Sequence, residues 1–230
     1  MIFSAGGAAV HRRAEARYAA PVLYQWAVVV PVKELRLAKT RLVTVAADAR
    51  AQLALAAARD VVTAALQTGA AVFVVTNDTL AAESLAADGA QVIADSADSG
   101  LNPALEEGAR VASGWHPRRA IAALSSDLPA LSPDELAEAF AAATAAPRCF
   151  VADHHARGTT LLTCLPGVPL APRFGVGSRQ QHLNSGALEL VGEWPGLRCD
   201  LDTPADLELA AGGPLGRHTA QALRRLGPEH

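Results

Sequence analysis

Lysine is almost missing from this chain: of 20 basic residues only Lys33 and Lys39 are lysines, and the rest are arginines. Cysteine is scarce as well. Cys149, Cys164 and Cys199 are odd in number and far apart, with no Cys-x-x-Cys pair, which argues against a zinc site and against a secreted disulfide framework. Each lies in or beside an apolar strand-like run, so buried free thiols are expected. No apolar run reaches the roughly 20 residues that a membrane span requires. The net charge of −3 supplies no whole-molecule field for nucleic acid or an anionic membrane, so phosphate binding must be local. The first 25 residues carry His11, Arg12, Arg13 and Arg17 without an apolar core segment, and so do not read as a secretory signal. A flexible leader over 1–25, one domain over 26–211, a C-terminal helix or tail over 212–230 and a cytoplasmic location are the expectations.

What is present fits that domain. In 230 residues, 50% are hydrophobic and 19% charged, enough to bury one α/β core. Trp26 to Val32 is a continuous apolar run, suited to a buried parallel strand. An alanine- and leucine-rich helix is predicted over Asp48 to Thr68, closed by Gly69. Strands follow at Ala70 to Thr76, Gln91 to Ala94 and Arg119 to Ser125. Helices are predicted from Asn77-Asp78 to about Asp88, from an Asn102 cap to about Ala112, and from a Ser132 capping box to about Thr144. Cys149 to Asp153 and Thr159 to Leu165 read as a hairpin, and a helix opens near Ser178. Leu197 to Leu201 reads as a last strand, followed by a helix capped at Thr203 and a helical tail from Arg217 to Leu226. Alternating strands and helices predict a mostly parallel mixed sheet covered on both faces.

In such sheets ligands collect beyond the carboxyl ends of the strands. After the first strand stand Lys33, Lys39 and Arg41; after the fourth, Asp127; around the last, Asp200 and Asp202. A compact ammonium acts as a point charge on phosphate where a planar guanidinium does not fit. Cations at one strand end and carboxylates at others suit a nucleoside triphosphate with Mg²⁺, a hard ion that prefers oxygen ligands. Asp200 and Asp202, two apart in an extended segment, point to the same side. The Ser4-Ala-Gly-Gly turn is set aside, because a phosphate-cradling glycine turn must follow its strand. Arg173-Phe-Gly-Val-Gly-Ser178 offers small residues before a helix, where backbone amides approach an anion. His154, His155 and His182 show no spacing typical of zinc ligands and read as surface or pocket-lining residues.

Val-Pro-Val-Lys…Ala-Lys-Thr-Arg-Leu, Ser-Asp-Leu-Pro-Ala-Leu, Gly-Thr-Thr, Phe-Gly-Val-Gly-Ser and Asp-Leu-Asp-Thr-Pro occur here in one order. From about Trp26 to Leu209 that order resembles the guanylyltransferases of coenzyme F-420 biosynthesis, which join GMP from GTP to phosphoenolpyruvate or 2-phospho-L-lactate. The resemblance implies a single-domain nucleotidyltransferase fold, glycosyltransferase-A-like and Rossmann-like. It implies Thr160, Gly175 and Ser178 at the phospho-acid, Asp200 and Asp202 on Mg²⁺, and Asp127 as an acid near metal or nucleotide. It also implies Lys33 and Lys39 near the triphosphate and Asn102 near the nucleoside, with Lys33, Lys39, Arg41 and Asp127 serving catalysis. Its partners would be GTP, a three-carbon phospho-acid and the downstream F-420 transferase, with neither nucleic acid nor membrane, and with room for a homo-oligomer. The arginine- and alanine-rich composition suggests an actinobacterial-type source, for which the resemblance implies the phosphoenolpyruvate-using branch. The alternatives are 2-phospho-L-lactate or 3-phosphoglycerate as acceptor, a cytidylyl- or molybdopterin-type transferase, and a non-catalytic nucleotide-binding regulator.

Overall fold

Trp26–Pro31 (β1) contains no polar side chain and is buried along nearly its whole length, as a strand with helices on both faces must be. The computed structural model describes residues 24–37, 46–95 and 100–226. Within them β1 lies at the middle of a sheet, parallel to β2 (Ala71–Val75) on one side and β4 (Ala120–Leu124) on the other. β3 (Gln91–Ile93) extends the β2 side in parallel. On the β4 side the direction reverses. β6 (Thr159–Cys164) runs antiparallel to both β4 and β5 (Arg148–Ala152). β7 (Leu188–Glu189) closes the edge parallel to β5. The order β3-β2-β1-β4-β6-β5-β7 is the mostly parallel mixed sheet expected.

Side-chain alternation sorts the core into two layers. Val28, Val30 and Leu124 face α1 (Ala47–Gln67), α2 (Thr79–Ala87) and α4 (Pro133–Ala142). Ala27, Val29, Phe73 and Ile121 face α3 (Leu101–Trp115). Gly108 lets α3 lie close to the sheet, because a Cβ there would stand 2.5 Å from Val29 Cγ1 and 2.8 Å from Val75 Cγ2. All three cysteines are free and buried. Among the described residues no helix is long and apolar enough to cross a membrane.

Helix starts follow the sequence with two departures. Asp78 accepts from the Ala81 amide and Thr203 forms a full capping box with Asp206, as their short polar side chains favour. Ser132 caps α4, but Glu135 does not complete the box. Its carboxylate takes the Gly196 and Leu197 amides instead, at 3.1 and 3.0 Å. That contact explains the main correction to the expected elements. Leu197 to Leu201 is not a strand: Pro195–Arg198 forms a short helix (α6) whose first amides are capped by Glu135, and the chain then runs into α7 (Pro204–Ala211) without joining the sheet. The second departure is α3, whose N-cap is Gly100, at φ +104, rather than Asn102.

The C-terminal helix α8 (Arg217–Leu226) packs on α1, with Ala222, Leu223 and Leu226 against Ala49, Leu53 and Leu201. Asp60, 5% exposed on α1, accepts from the His218 and Thr219 amides at 2.9 and 2.8 Å. It caps the helix from outside its own segment. Asp60→Ala leaves two amides without their carboxylate acceptor, and is expected to cost about 1–3 kcal/mol. The check is the midpoint of urea unfolding; an unchanged midpoint would mean that α8 contributes nothing to global stability.

Candidate active site

The loop leaving β1 is pinned from two sides. Val32 donates its amide to the Val75 carbonyl at 2.9 Å, and Leu35 donates to Asp78 Oδ2 at 2.9 Å while Asp78 Oδ1 caps α2. This sets exposed Lys33 on the rim of a cleft of about 340 Å³ bounded by Pro31, Asn77, Asp95, Gly100 and Leu101. The cleft lies where β1 and β2 end and α3 begins, the position at which open α/β sheets bind ligands. Lys39 and Arg41, expected on the same loop, lie outside the described residues.

Asn102 joins this cleft to the second half of the chain. Its side-chain amide donates to the Phe174 carbonyl at 3.0 Å and accepts from the Phe174 amide at 2.7 Å. One residue earlier, the Arg173 amide donates to His182 Nε2 at 3.0 Å, and His182 Nδ1 meets Thr159 Oγ1 at 2.9 Å. The Arg173 N–H fixes the tautomer: Nε2 accepts, so Nδ1 carries the proton and donates to Thr159. His182 is fully buried, and burial, followed by the charges of Arg148 and Arg173, pushes its pKa down to about 4. The loop 173–177 is therefore held between the start of α3 and α5 (Ser178–Asn184). Gly175 and Gly177 take φ of +128 and +70, conformations that favour glycine. Ser178 is 1% exposed. Thr160, beside Thr159 on β6, is fully buried, and its hydroxyl has no hydrogen-bond partner among the described residues, which is a costly state for a donor unless something fills it.

The acids gather around Asp200. Leu201, itself fully buried between Asp200 and Asp202, donates its amide to the Asp127 carbonyl at 2.9 Å and locks the α6–α7 segment to the end of β4. Asp200 registers the crowding. Burial, then the like charges of Asp127, Asp202 and Asp153, push its carboxyl up to about 7. Asp153, which the sequence did not mark out, ends β5 and accepts from the Arg157 and Gly158 amides at 2.8 and 2.7 Å. A Cβ on Gly158 would sit 2.5 Å from the Asp153 carboxylate, so the glycine of the Gly-Thr-Thr turn makes this close approach feasible. Arg179 at the start of α5 donates its amide to the Arg157 carbonyl at 3.2 Å, so the turn bearing Asp153 and the loop bearing Gly175 and Ser178 are one assembly.

The chain as a whole has known relatives. Residues 26–227 match the family model described as guanylyl transferase CofC-like. The chain belongs to that family. It is 52% identical over 206 residues to a phosphoenolpyruvate guanylyltransferase of Geodermatophilus obscurus, covering 86% of this chain and 94% of that one. It is 50% identical over 206 residues to one of Streptomyces coelicolor, covering 88% and 97%. Among solved structures it is similar to a putative nucleotide-diphospho-sugar transferase of Desulfovibrio desulfuricans, with a TM-score of 0.66, 15% identity and 88% and 95% of the two chains covered. A nucleotidyl transferase of Methanothermobacter is similar at a TM-score of 0.59 and 19% identity, over 87% and 99%; these two likenesses speak for the fold. This member of the CofC-like family is thus a nucleotidyltransferase. It also contains a group able to hold a metal ion, His154, His155 and Asp206, which sequence spacing alone did not bring together because Asp206 lies some fifty positions along the chain.

Proposed function

We propose that this chain transfers GMP from GTP to phosphoenolpyruvate, releasing pyrophosphate, as a step of coenzyme F-420 biosynthesis. The observation that carries this reading is the gathering of Asp127 and Asp202 about Asp200, in a chain about half identical to relatives named for that reaction. In this reading GTP occupies the cleft rimmed by Lys33, with its triphosphate toward Lys33, Lys39 and Arg41 and its nucleoside beside the start of α3. Asn102, committed to Phe174, positions the nucleotide side against the acceptor side. Thr160, Gly175 and Ser178 take the phospho-acid. The unpartnered Thr160 hydroxyl then donates to the acceptor.

Mg²⁺ suits the donor set. Asp200 and Asp202, with Asp127 beside them, are hard oxygen ligands, and the raised pKa of Asp200 marks crowded negative charge that a divalent cation relieves. Bound there, the ion would offset charge on the α-phosphoryl group and on the departing pyrophosphate. The acceptor's phosphate is already anionic at neutral pH. One of its oxygens attacks the α-phosphorus in line, the new P–O bond forms, and the bond to the β-phosphate oxygen breaks; no protein base or covalent nucleophile is required. Lys33 holds the triphosphate as a point charge, and the clamped loop holds the attacking oxygen, so catalysis is positioning plus charge neutralisation. The reading places the chain in the cytoplasm, passing a labile product to the downstream transferase.

The test is pyrophosphate release from GTP with phosphoenolpyruvate, 2-phospho-L-lactate and 3-phosphoglycerate offered separately, each coupled to the downstream transferase. Turnover with phosphoenolpyruvate at least about tenfold above the others is expected, a difference of roughly 1.4 kcal/mol in transition-state binding. Preference for 2-phospho-L-lactate would reassign the acceptor, and silence with all three would reject the reaction.

A further inference from the structure

The turn from β5 to β6 carries two histidines that guanylyl transfer does not use. The His154 amide donates to the Arg198 carbonyl at 2.8 Å, and Asp153 holds the other end of the turn through Arg157 and Gly158. The two imidazole rings lie with centroids 3.8 Å apart. Both Nε2 atoms converge on a single oxygen: Asp206 Oδ1 is 3.2 Å from His154 Nε2 and 3.5 Å from His155 Nε2. The other oxygen of Asp206 is occupied by the amides of Asp202 and Thr203 and by the Thr203 hydroxyl, at 3.1, 2.7 and 2.9 Å. The carboxylate is therefore fixed in orientation, 3% exposed, with Oδ1 turned to the histidines.

Two ligands about 2.0–2.1 Å from one ion in a tetrahedral arrangement stand roughly 3.3–3.4 Å apart, and the two observed separations straddle that value. Neutral Nε2–H tautomers of both rings could donate to this one oxygen, and an ion in place of the two protons would use the same convergence, with the rings tilted 40° to one another. A second observation concerns the far side of His154. Its Nδ1 is buried, has no hydrogen-bond partner among the described residues, and stands 3.7 Å from Asp200 Oδ1. A histidine on a metal usually directs its second ring nitrogen at a carboxylate, and His154 Nδ1 faces one here, at a distance beyond hydrogen bonding.

We propose that His154, His155 and Asp206 form a second cation site, taking a borderline divalent ion of the zinc or cobalt class. Imidazole nitrogen selects such ions over Mg²⁺, which prefers the oxygen cluster next to it. The ion clips the β5–β6 turn to the start of α7, and its histidine ligand touches Asp200, so the site braces the carboxylate cluster from behind.

The experiment is a Co²⁺ titration of chelator-stripped full-length protein in excess Mg²⁺, read by the visible d–d absorption of the bound ion, without GTP or acceptor. Saturation at one Co²⁺ per chain is expected, undiminished by Mg²⁺. His155→Ala, at a residue 59% exposed by side chain and so tolerated by the fold, should weaken Co²⁺ at least about tenfold, and His154→Gln should do the same. Asp202→Asn, which keeps the backbone amide that holds Asp206, should leave the band in place. No band in excess Mg²⁺ would overturn the proposal. So would a band that His155→Ala leaves unchanged and Asp202→Asn removes, since the ion would then belong to the oxygen cluster. The readout needs no turnover, so its failure would leave guanylyl transfer untouched, and the failure of guanylyl transfer would leave it untouched.

Discussion

Asp200→Asn is expected to abolish guanylyl transfer and, in the same protein, to raise the melting temperature of the metal-free form at pH 8. The first effect follows from losing one of two carboxylates that would hold the cation against the α-phosphoryl group; a loss of about three orders of magnitude or more is the scale of several kcal/mol. The second follows from the pKa near 7. Folding raises the affinity of this carboxyl for its proton, so between about pH 4 and 7 the folded state binds more protons than the unfolded one and stability falls as pH rises. Above pH 7 the whole penalty is present. An amide of the same shape removes it. Even a fraction of the shift is worth about 1 kcal/mol, or roughly 2–4 °C for a chain of this size. At pH 4 the two proteins should melt together. Saturating Mg²⁺ should then favour the parent, because an ion that binds only the folded carboxylates stabilises by mass action. Near-normal turnover of the variant at high Mg²⁺ would remove Asp200 from the metal site. A lower melting point at pH 8 without metal would mean that Asp200 is held by favourable contacts rather than crowded by like charges.

The parts of this site that were legible in the sequence are those fixed by local chemistry. The apolar run of β1 and the caps at Asp78, Ser132 and Thr203 each depend on neighbours a few positions away, and each element appears where those neighbours place it. Asp127 and Asp200 could be singled out because strand ends and Asp-x-Asp spacing are local features too. What failed were assignments decided by distant partners. Leu197 looks like a strand residue until Glu135, 62 positions earlier, supplies a carboxylate to its amide. Asn102 looks like a helix cap until Phe174, 72 positions later, engages both ends of its side chain. Asp153 and the His154–His155 pair carry no signal at all in spacing, because their meaning comes from Asp200 and Asp206, which the α6–α7 segment brings to them. β7 is only two residues long, too short for any periodicity to register.

His182 shows the same dependence and gives the second large effect. The neutral ring holds Arg173 and Thr159 together, and Phe150 and Phe174 lie against it with ring centroids 5.6 and 5.3 Å away. His182→Ala removes a buried ring and leaves the Arg173 amide unpaired, and is expected to cost about 2–4 kcal/mol. Because the loop it holds carries Gly175 and Ser178, the KM for the phospho-acid should rise at least about tenfold while the KM for GTP moves much less. His182→Gln can return an acceptor to the Arg173 amide and should recover most of the acceptor KM. The pH profile separates this role from simple packing. The pKa near 4 lies below that of an unfolded histidine, so the unfolded state takes up the proton first. The contribution of His182 is then complete above about pH 6.5 and is lost as pH falls toward 4. Urea midpoints of the parent should drop more steeply across that window than those of His182→Gln, which has nothing to titrate. If the midpoints run parallel, the ring is not held neutral. If His182→Ala raises the KM for GTP as much as that for the acceptor, the loop it clamps does not belong to the acceptor side of the site.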